Sequence, residues 1–300
     1  MQITQDEEKL RTSLVSGFAQ SFLTAAPIPS ATITILENGQ KIETNNEGLF
    51  GPIPWPIGAP ITLTLEKGGF LTTQSGTMIV PQAGLNDPLH NISFQVPSDF
   101  AVTLFSYAMG AAFNPNACTV ATTVTAYNKT LFDIPQGEAD AKTVLFPDTS
   151  IKPFYFSIFE KGWLKDKTNP FSRNLTSTSH DGGVMYINIP PREEPYTLKA
   201  FKNNLTFSEV TFKARPGIFI NLSPPQGPMV QQNLHTSTST STSTYFSENK
   251  KVIKPSSEVK PLNTLPNGKQ PFSLFGFPIL SPRQKDFCEN LTTFKWNRKN

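Results

Sequence analysis

Thr44-Asn-Asn-Glu-Gly48-Leu-Phe50 and, 134 residues later, Thr178-Ser-His-Asp-Gly182-Gly-Val184 decide how this chain is read. Each places a hydroxyl four positions ahead of a glycine and leads into an apolar stretch. Each is followed, 16 and 17 residues after its threonine, by a proline that opens an alternating run: Pro60-Ile-Thr-Leu-Thr-Leu-Glu-Lys67 and Pro195-Tyr-Thr-Leu-Lys-Ala-Phe-Lys202. One spacing used twice marks an internal repeat. The period of two within each run makes the repeated unit a β unit.

Working outward from the first copy, Ala31-Thr-Ile-Thr-Ile-Leu36 alternates and Asn38-Gly39 turns the chain. Ile42 to Thr44 returns, Gly68-Gly69 turns again, and Phe70 to Val80 and His90 to Val96 supply further strands. Short strands at this spacing predict a β-sandwich. In the second copy the strands are Thr119 to Tyr127, Ala141 to Phe146 and the stretches around Val184 and Tyr196. Gly48, Gly69 and Gly182 are expected in turns, Gly48 and Gly182 at positive φ where a Cβ would clash.

Two segments depart from the alternation. Thr4-Gln5-Asp6-Glu7 fits a capping box, and Leu10, Leu14, Phe18 and Phe22 recur every fourth residue until Pro27 and Pro29, which predicts an amphipathic N-terminal helix within residues 1–27. Asp99 to Phe113 predicts a linker helix within 99–116, capped by Ser98 or Asp99 and ending near Gly110. The expected organisation is mainly β: two tandem Greek-key-type sandwiches at 28–98 and 117–226, the second carrying an aromatic-rich insertion at 150–176. Residues 227–300 follow, with a strict Thr/Ser alternation from Thr236 to Thr244 and then Lys-, Ser- and Pro-rich sequence. Such a stretch buries too little apolar surface to offset chain entropy and is expected to be a disordered tail. Phe272, Phe275, Phe277, Ile279 and Leu280 form an apolar island within it.

Composition narrows the function. Charged residues are 16 % of the chain, against roughly a quarter in average soluble proteins. Residues 227–300 hold 10 Lys+Arg against 4 Asp+Glu, a net +6; the rest holds 16 against 19, a net −3. The body therefore lacks the basic excess of a specific nucleic-acid surface. No apolar run reaches the roughly 18 residues of a membrane-spanning helix. Two cysteines, Cys118 and Cys288, are too few for a disulfide scaffold and read as free thiols. Residues 1–23 have no basic start and no apolar core of a Sec-type signal peptide. The expected location is cytoplasmic by default, or outside the cell by a signal-independent route.

As an ordered set these cues resemble the carboxypeptidase regulatory-like, or transthyretin-like, module, an immunoglobulin-like β-sandwich of about seven strands. In the first copy they are Ala31 to Leu36, Thr44, Gly48, Phe50, Gly58, Pro60, Leu63 and Gly69-Phe70. In the second they are Ala141 to Leu145, Thr178, Asp181, Gly182, Asn188, Pro190, Pro191, Tyr196 and Leu198. The resemblance covers about 28–98 and 117–226 and implies a scaffold, an adhesive or sugar-binding appendage, or a spacer. Some relatives form an internal Lys–Asn isopeptide bond assisted by an acid. The first copy has Glu66 and Asn91 without a lysine, the second Lys142 and Asn221 without the acid, so neither holds the set.

Catalytic and metal constellations are weak. His180 beside Ser179 and Asp181 reads as a turn, because neighbours on a turn do not reach triad geometry unaided. His90 and His235 have no partners at metal-ligand spacing, and no cofactor motif occurs. Glu193-Glu194 reads as a solvated loop; Asp133, Glu138 and Asp140 lack a calcium-loop pattern. The binding candidates are aromatic. Trp55, within Pro52-Ile-Pro-Trp-Pro56, either stacks on a ligand or caps the sandwich. In the insertion, Phe154-Tyr-Phe-Ser-Ile158 reads as a strand, leaving Trp163 with Lys161, Lys165, Lys167 and Arg173 as the recognition group. The expectation is a non-catalytic binding or scaffold protein with an unknown protein or carbohydrate partner. The alternatives are an accessory subunit or enzyme with a site in 150–176, or an exported protein.

Overall fold

The computed structural model describes residues 12–86, 90–131, 133, 135–157, 171–172 and 175–231. The first half holds β1 (Thr12–Ser21), β2 (Thr32–Ile35), β3 (Lys41–Glu43), β4 (Leu49–Pro56), β5 (Pro60–Ile61), β6 (Leu63–Glu66), β7 (Thr73–Gln74), β8 (Met78–Ile79) and β9 (Ile92–Val96). Helix α1 (Asp99–Met109) follows. The second half holds β10 (Cys118–Thr123), β11 (Lys142–Phe146), β12 (Phe154–Phe156), β13 (Phe171–Ser172), β14 (Gly183–Ile189), β15 (Tyr196–Phe201), β16 (Val210–Phe212) and β17 (Phe219–Leu222). The chain is mainly β. Among the described residues no helix is long and apolar enough to cross a membrane.

In the first sandwich the sheet β4-β1-β9 faces the strands β7-β6-β2-β3. Between them lie Val15, Ile33, Ile35, Phe50, Trp55, Leu63, Leu65 and Phe94. In the second, β13-β12-β14-β10-β17 faces β11-β15-β16 over Val120, Tyr155, Val184, Tyr186, Leu198, Phe212 and Leu222. Parallel pairing of β17 with β7 joins the two halves into one nine-stranded sheet.

The first copy begins earlier than its alternation suggests. β1 lies between antiparallel β4 and parallel β9, and β10 lies likewise between β14 and β17. The expected N-terminal helix is therefore corrected. Residues 12–21 are the first strand of the first sandwich, and residues 1–11 lie outside the described residues. A four-residue spacing satisfies a helical face, yet it is also a multiple of two and satisfies one face of a strand. The polar–apolar alternation that would separate the two is missing because β1 is covered on both faces; Ser16 and Gln20 are buried with Val15 and Ala19. Gly17 fixes the choice. A Cβ there would run into the Ile92 carbonyl and the Phe50 ring.

The linker helix has the expected ends. The Ser98 side chain accepts from the Ala101 N–H, and Gly110 closes the helix at φ 58°. It does not hang between two bodies. Ala101, Phe105 and Met109 pack on Ala121, Met185, Ile187 and Phe219 of the second half and on Phe22 of the first. Phe22 meets Phe105 and Phe219 edge-on, with ring centroids 5.3 and 5.9 Å away.

Polar side chains seal the seam between the halves. The Arg215 guanidinium donates to Gln74 Oε1 from Nε and Nη2 at 2.9 and 2.7 Å, while Gln74 Nε2 donates to the Lys213 carbonyl. Asn221 Oδ1 accepts from the Gln95 N–H at 3.2 Å, and Ser93 Oγ donates to the Pro224 carbonyl at 2.9 Å. The second body runs beyond residue 226. Val230 N–H donates to the Thr125 carbonyl and Gln231 N–H to that of Thr206. Residues 232–300 lie outside the described residues.

Candidate binding surface

The insertion is a hairpin added to the edge of β14. Phe154 pairs with Met185 and Tyr155 with Val184, and β13 then pairs with β12. Tyr155 points inward, where its hydroxyl accepts from the Thr143 N–H at 3.0 Å. Tyr186 donates to Thr143 Oγ1 at 2.9 Å, and its burial pushes its own hydroxyl pKa upward. Phe156 is buried against Gly183, where a Cβ would collide with the Phe156 ring. The hairpin is thus anchored by aromatic packing at its base.

Trp163, Lys161, Lys165, Lys167 and Arg173 lie outside the described residues; the first four belong to the connection from β12 to β13 and Arg173 directly follows β13. α1 lies against β13 and turns Phe100 and Tyr107, 57 % and 76 % exposed, to the solvent. The two are seven residues apart on the helix, opposite the buried stripe of Ala101, Phe105 and Met109. From Phe100 to Phe113 the chain carries no charge. The hydrophobic content of this stretch was legible in the sequence, but which stripe would be covered was not.

Trp55 is corrected as a binding residue. It is 7 % exposed, sits in the first core and donates from Nε1 to the Pro60 carbonyl at 3.0 Å. Its neighbours form a strand rather than a stiff loop. β4 is an edge strand, and Pro52, Pro54 and Pro56 are exposed while Ile53 and Trp55 point inward. Proline is tolerated there because an edge strand needs no N–H on its open side, and such an edge resists pairing with another chain.

The turn residues form a matched pair. Gly48 and Gly182 stand at φ 75° and 72°, and their carbonyls accept from the Ala19 and Val124 N–H groups. Gly69 stands at φ 82°. Ser179 is buried, its hydroxyl 2.6 Å from the Phe156 carbonyl and 2.7 Å from Asp181 Oδ1, while His180 faces out. The pair is not assembled as nucleophile and base. Asp181 Oδ1 also accepts from the Gly183 N–H, as Asn45 Oδ1 does from Leu49 N–H in the first copy.

The remaining candidates are dispersed. Burial raises the Asp133 carboxyl, but the Thr130 N–H and hydroxyl and the Lys129 ammonium outweigh it and hold the pKa below the ordinary value. Glu138 pairs with Lys202 and Glu193 with Lys213. Among the described residues no three His, Cys, Asp or Glu side chains stand close enough to hold a metal. Lys142 is exposed on β11, while the Asn221 amide is buried on β17 and donates to Ser223 Oγ. Cys118 is buried, which pushes its thiol up to about 12.

No family model matches the chain, and no curated protein does. Among solved structures, the TIE protein of Bacillus anthracis aligns with 70 % of this chain and 33 % of its own, at 11 % identity and TM-score 0.22. This chain thus spans about a third of that protein. The shaft pilin SpaA of Lactobacillus rhamnosus GG aligns over 73 % and 97 %, at 9 % identity and TM-score 0.21. The minor pilin GBS52 of Streptococcus agalactiae aligns over 78 % and 99 %, at 8 % identity and TM-score 0.21.

Helix α1, which carries the exposed stripe, thus lies against β13 of the hairpin through its other side. Aromatic rings in such a position offer large, stiff contact area at little cost in side-chain entropy.

Proposed function

We propose that the chain is a non-catalytic binding or scaffold protein, built from two transthyretin-like sandwiches, that meets a protein or carbohydrate partner. The contact surface of this reading is the outer stripe of α1 together with the β12–β13 connection. Its support is one observation: Phe100 and Tyr107 stand exposed on a helix packed against β13, the strand that closes the Trp163 connection. A rigid platform loses little freedom on binding, so a few aromatic anchors suffice for recognition. The lysines of the connection add attraction for carboxylates or for the faces of aromatic groups.

The test is a glycan array and a protein array probed with the full chain, the Phe100→Ser/Tyr107→Ser variant and Trp163→Ala. The expected result is a specific hit whose affinity falls at least about tenfold in both variants, the size of a hot-spot loss, with melting unchanged. A hit bound equally by all three chains overturns the assigned surface. Turnover of the bound molecule overturns the non-catalytic reading.

A further inference from the structure

On the outer face of the β11-β15-β16 sheet, Val144 and Phe201 are apolar where their counterparts in the first sandwich are polar, and Phe146 stands where the first has Leu36, 39 % exposed. The two copies superpose by their hydrogen bonds. The Ala31 and Ala141 carbonyls each accept from the N–H of the repeated threonine, and β2 pairs with β6 as β11 pairs with β15. Val144, Phe146 and Phe201 therefore occupy the positions of Thr34, Leu36 and Glu66. They are 37 %, 46 % and 49 % exposed. In the ladder Val144 faces Lys199 and Lys142 faces Phe201, so Phe201 and Val144 are diagonal neighbours on one face. Lys199 lies 5.2 Å above the Phe146 ring and is tied to Glu209 at 2.6 Å, so its stem extends the apolar strip.

The described chain leaves the body beside this strip. β15 ends at Phe201, and the Leu205 N–H folds back to the Lys202 carbonyl. Gln231, the last described residue, donates to the Thr206 carbonyl in the same loop. Forty residues, 232–271, separate it from Phe272-Ser-Leu-Phe-Gly-Phe-Pro-Ile-Leu280, an uncharged run. A Ser/Thr-, Lys- and Pro-rich tether of that length has a coil span of about 35 Å. The body, at about 220 residues, has a radius of gyration of roughly 17 Å. The tether therefore spans the distance without stretching and holds the island at an effective concentration of order millimolar. A second copy matches that only in a solution of similar concentration.

We infer that residues 272–280 dock on the outer face of β11 and β15, covering Val144, Phe146 and Phe201 of the same molecule. The run carries no charge to set against Lys142 or Lys199, and it is rich in phenylalanine, as the strip around Phe146 and Phe201 is. This inference is independent of what α1 and the hairpin bind.

The test uses the full chain with a nitroxide maleimide on Cys288, eight residues past Leu280; buried Cys118, its thiol pushed up to about 12, is not labelled in the folded state. The expected result is loss of most amide signal at 142–146 and 197–201, unchanged on tenfold dilution. Phe275→Ser/Phe277→Ser in the run, and Phe146→Ser/Phe201→Ser on the body, each restore the signal. Far-ultraviolet dichroism and melting confirm that the body variant is folded. Three outcomes overturn the inference: no localised loss, loss centred on Phe100 and Tyr107, or loss that disappears on dilution, which identifies a contact between two copies.

Discussion

The Thr178 hydroxyl repeats both hydrogen bonds of the Thr44 hydroxyl. The Thr44 hydroxyl accepts from the Ala31 N–H at 2.8 Å and donates to the Ile28 carbonyl at 2.7 Å. The Thr178 hydroxyl accepts from the Ala141 N–H at 2.9 Å and donates to the Glu138 carbonyl at 2.6 Å. Ser30 and Asp140, the residues before the two alanines, both adopt positive φ, 52° and 60°. Each hydroxyl thus ties a tight backbone turn into the entry of a strand.

Both hydroxyls are buried, so removing one strands a backbone donor and an acceptor without water. Thr44→Val and Thr178→Val are each expected to lower stability by about 2 kcal/mol, the range for an orphaned buried pair. Thr→Ser at either site keeps the oxygen and is expected to recover most of the loss. Urea unfolding checks this, with the slope unchanged. Equal stability of the Val and Ser variants removes the turn from the set of features that specify the fold.

Gly17 separates strand from helix by the sign of one measurement. In a solvent-facing helix, Gly17→Ala stabilises by about 1 kcal/mol, because glycine is the poorer helix former. In the strand, the new methyl meets the Ile92 carbonyl and the Phe50 ring. The expected outcome is a loss of roughly 1–3 kcal/mol, as for overpacking elsewhere in cores. Thermal melting gives the sign directly; a raised midpoint refutes the β1 assignment.

Trp55→Ala removes a ring from the first core and leaves the Pro60 carbonyl without the indole donor. The expected loss is about 3–5 kcal/mol, as for large aromatic truncations. Trp55→Phe restores the packing but not the hydrogen bond and is expected to fall between the two. Denaturant titration followed by far-ultraviolet circular dichroism distinguishes these levels. A variant that melts like the parent places Trp55 outside the core.

The repeat was legible because its markers are local: a hydroxyl and a glycine four residues apart act within one turn, and a proline 16 or 17 residues on opens the next alternating run. The capped helix α1 was legible for the same reason, with Ser98 and Gly110 at its ends. The first strand was not, since Leu14, Phe18 and Phe22 obey both periods and burial on both faces erases the alternation. Trp55 left two readings open, because a proline at every second position suggests a loop until the strand's place at a sheet edge is known. The surface beside α1 depends on how the two halves meet. That meeting uses Gln74, Arg215 and Asn221, polar residues with nothing in their local sequence to mark them.

The seam sets how the two sandwiches unfold. β17 and β7 share backbone pairing, and Arg215 closes over Gln74 beside it. Burial lowers the Arg215 pKa from its ordinary value, yet a guanidinium stays charged in proteins and needs an acceptor for its N–H groups. Gln74→Leu leaves that guanidinium facing an apolar side chain, and a lost hydrogen bond to a charged group costs about 1.5–3 kcal/mol. The parent is expected to melt in a single calorimetric transition, because neither half can open without breaking the common sheet. In Gln74→Leu the hydrogen exchange of the amides at positions 73, 74, 219 and 220 is expected to quicken ahead of β2, β6, β10 and β14. Two separate transitions in the parent, or exchange that quickens evenly through both cores, refutes a seam that couples them.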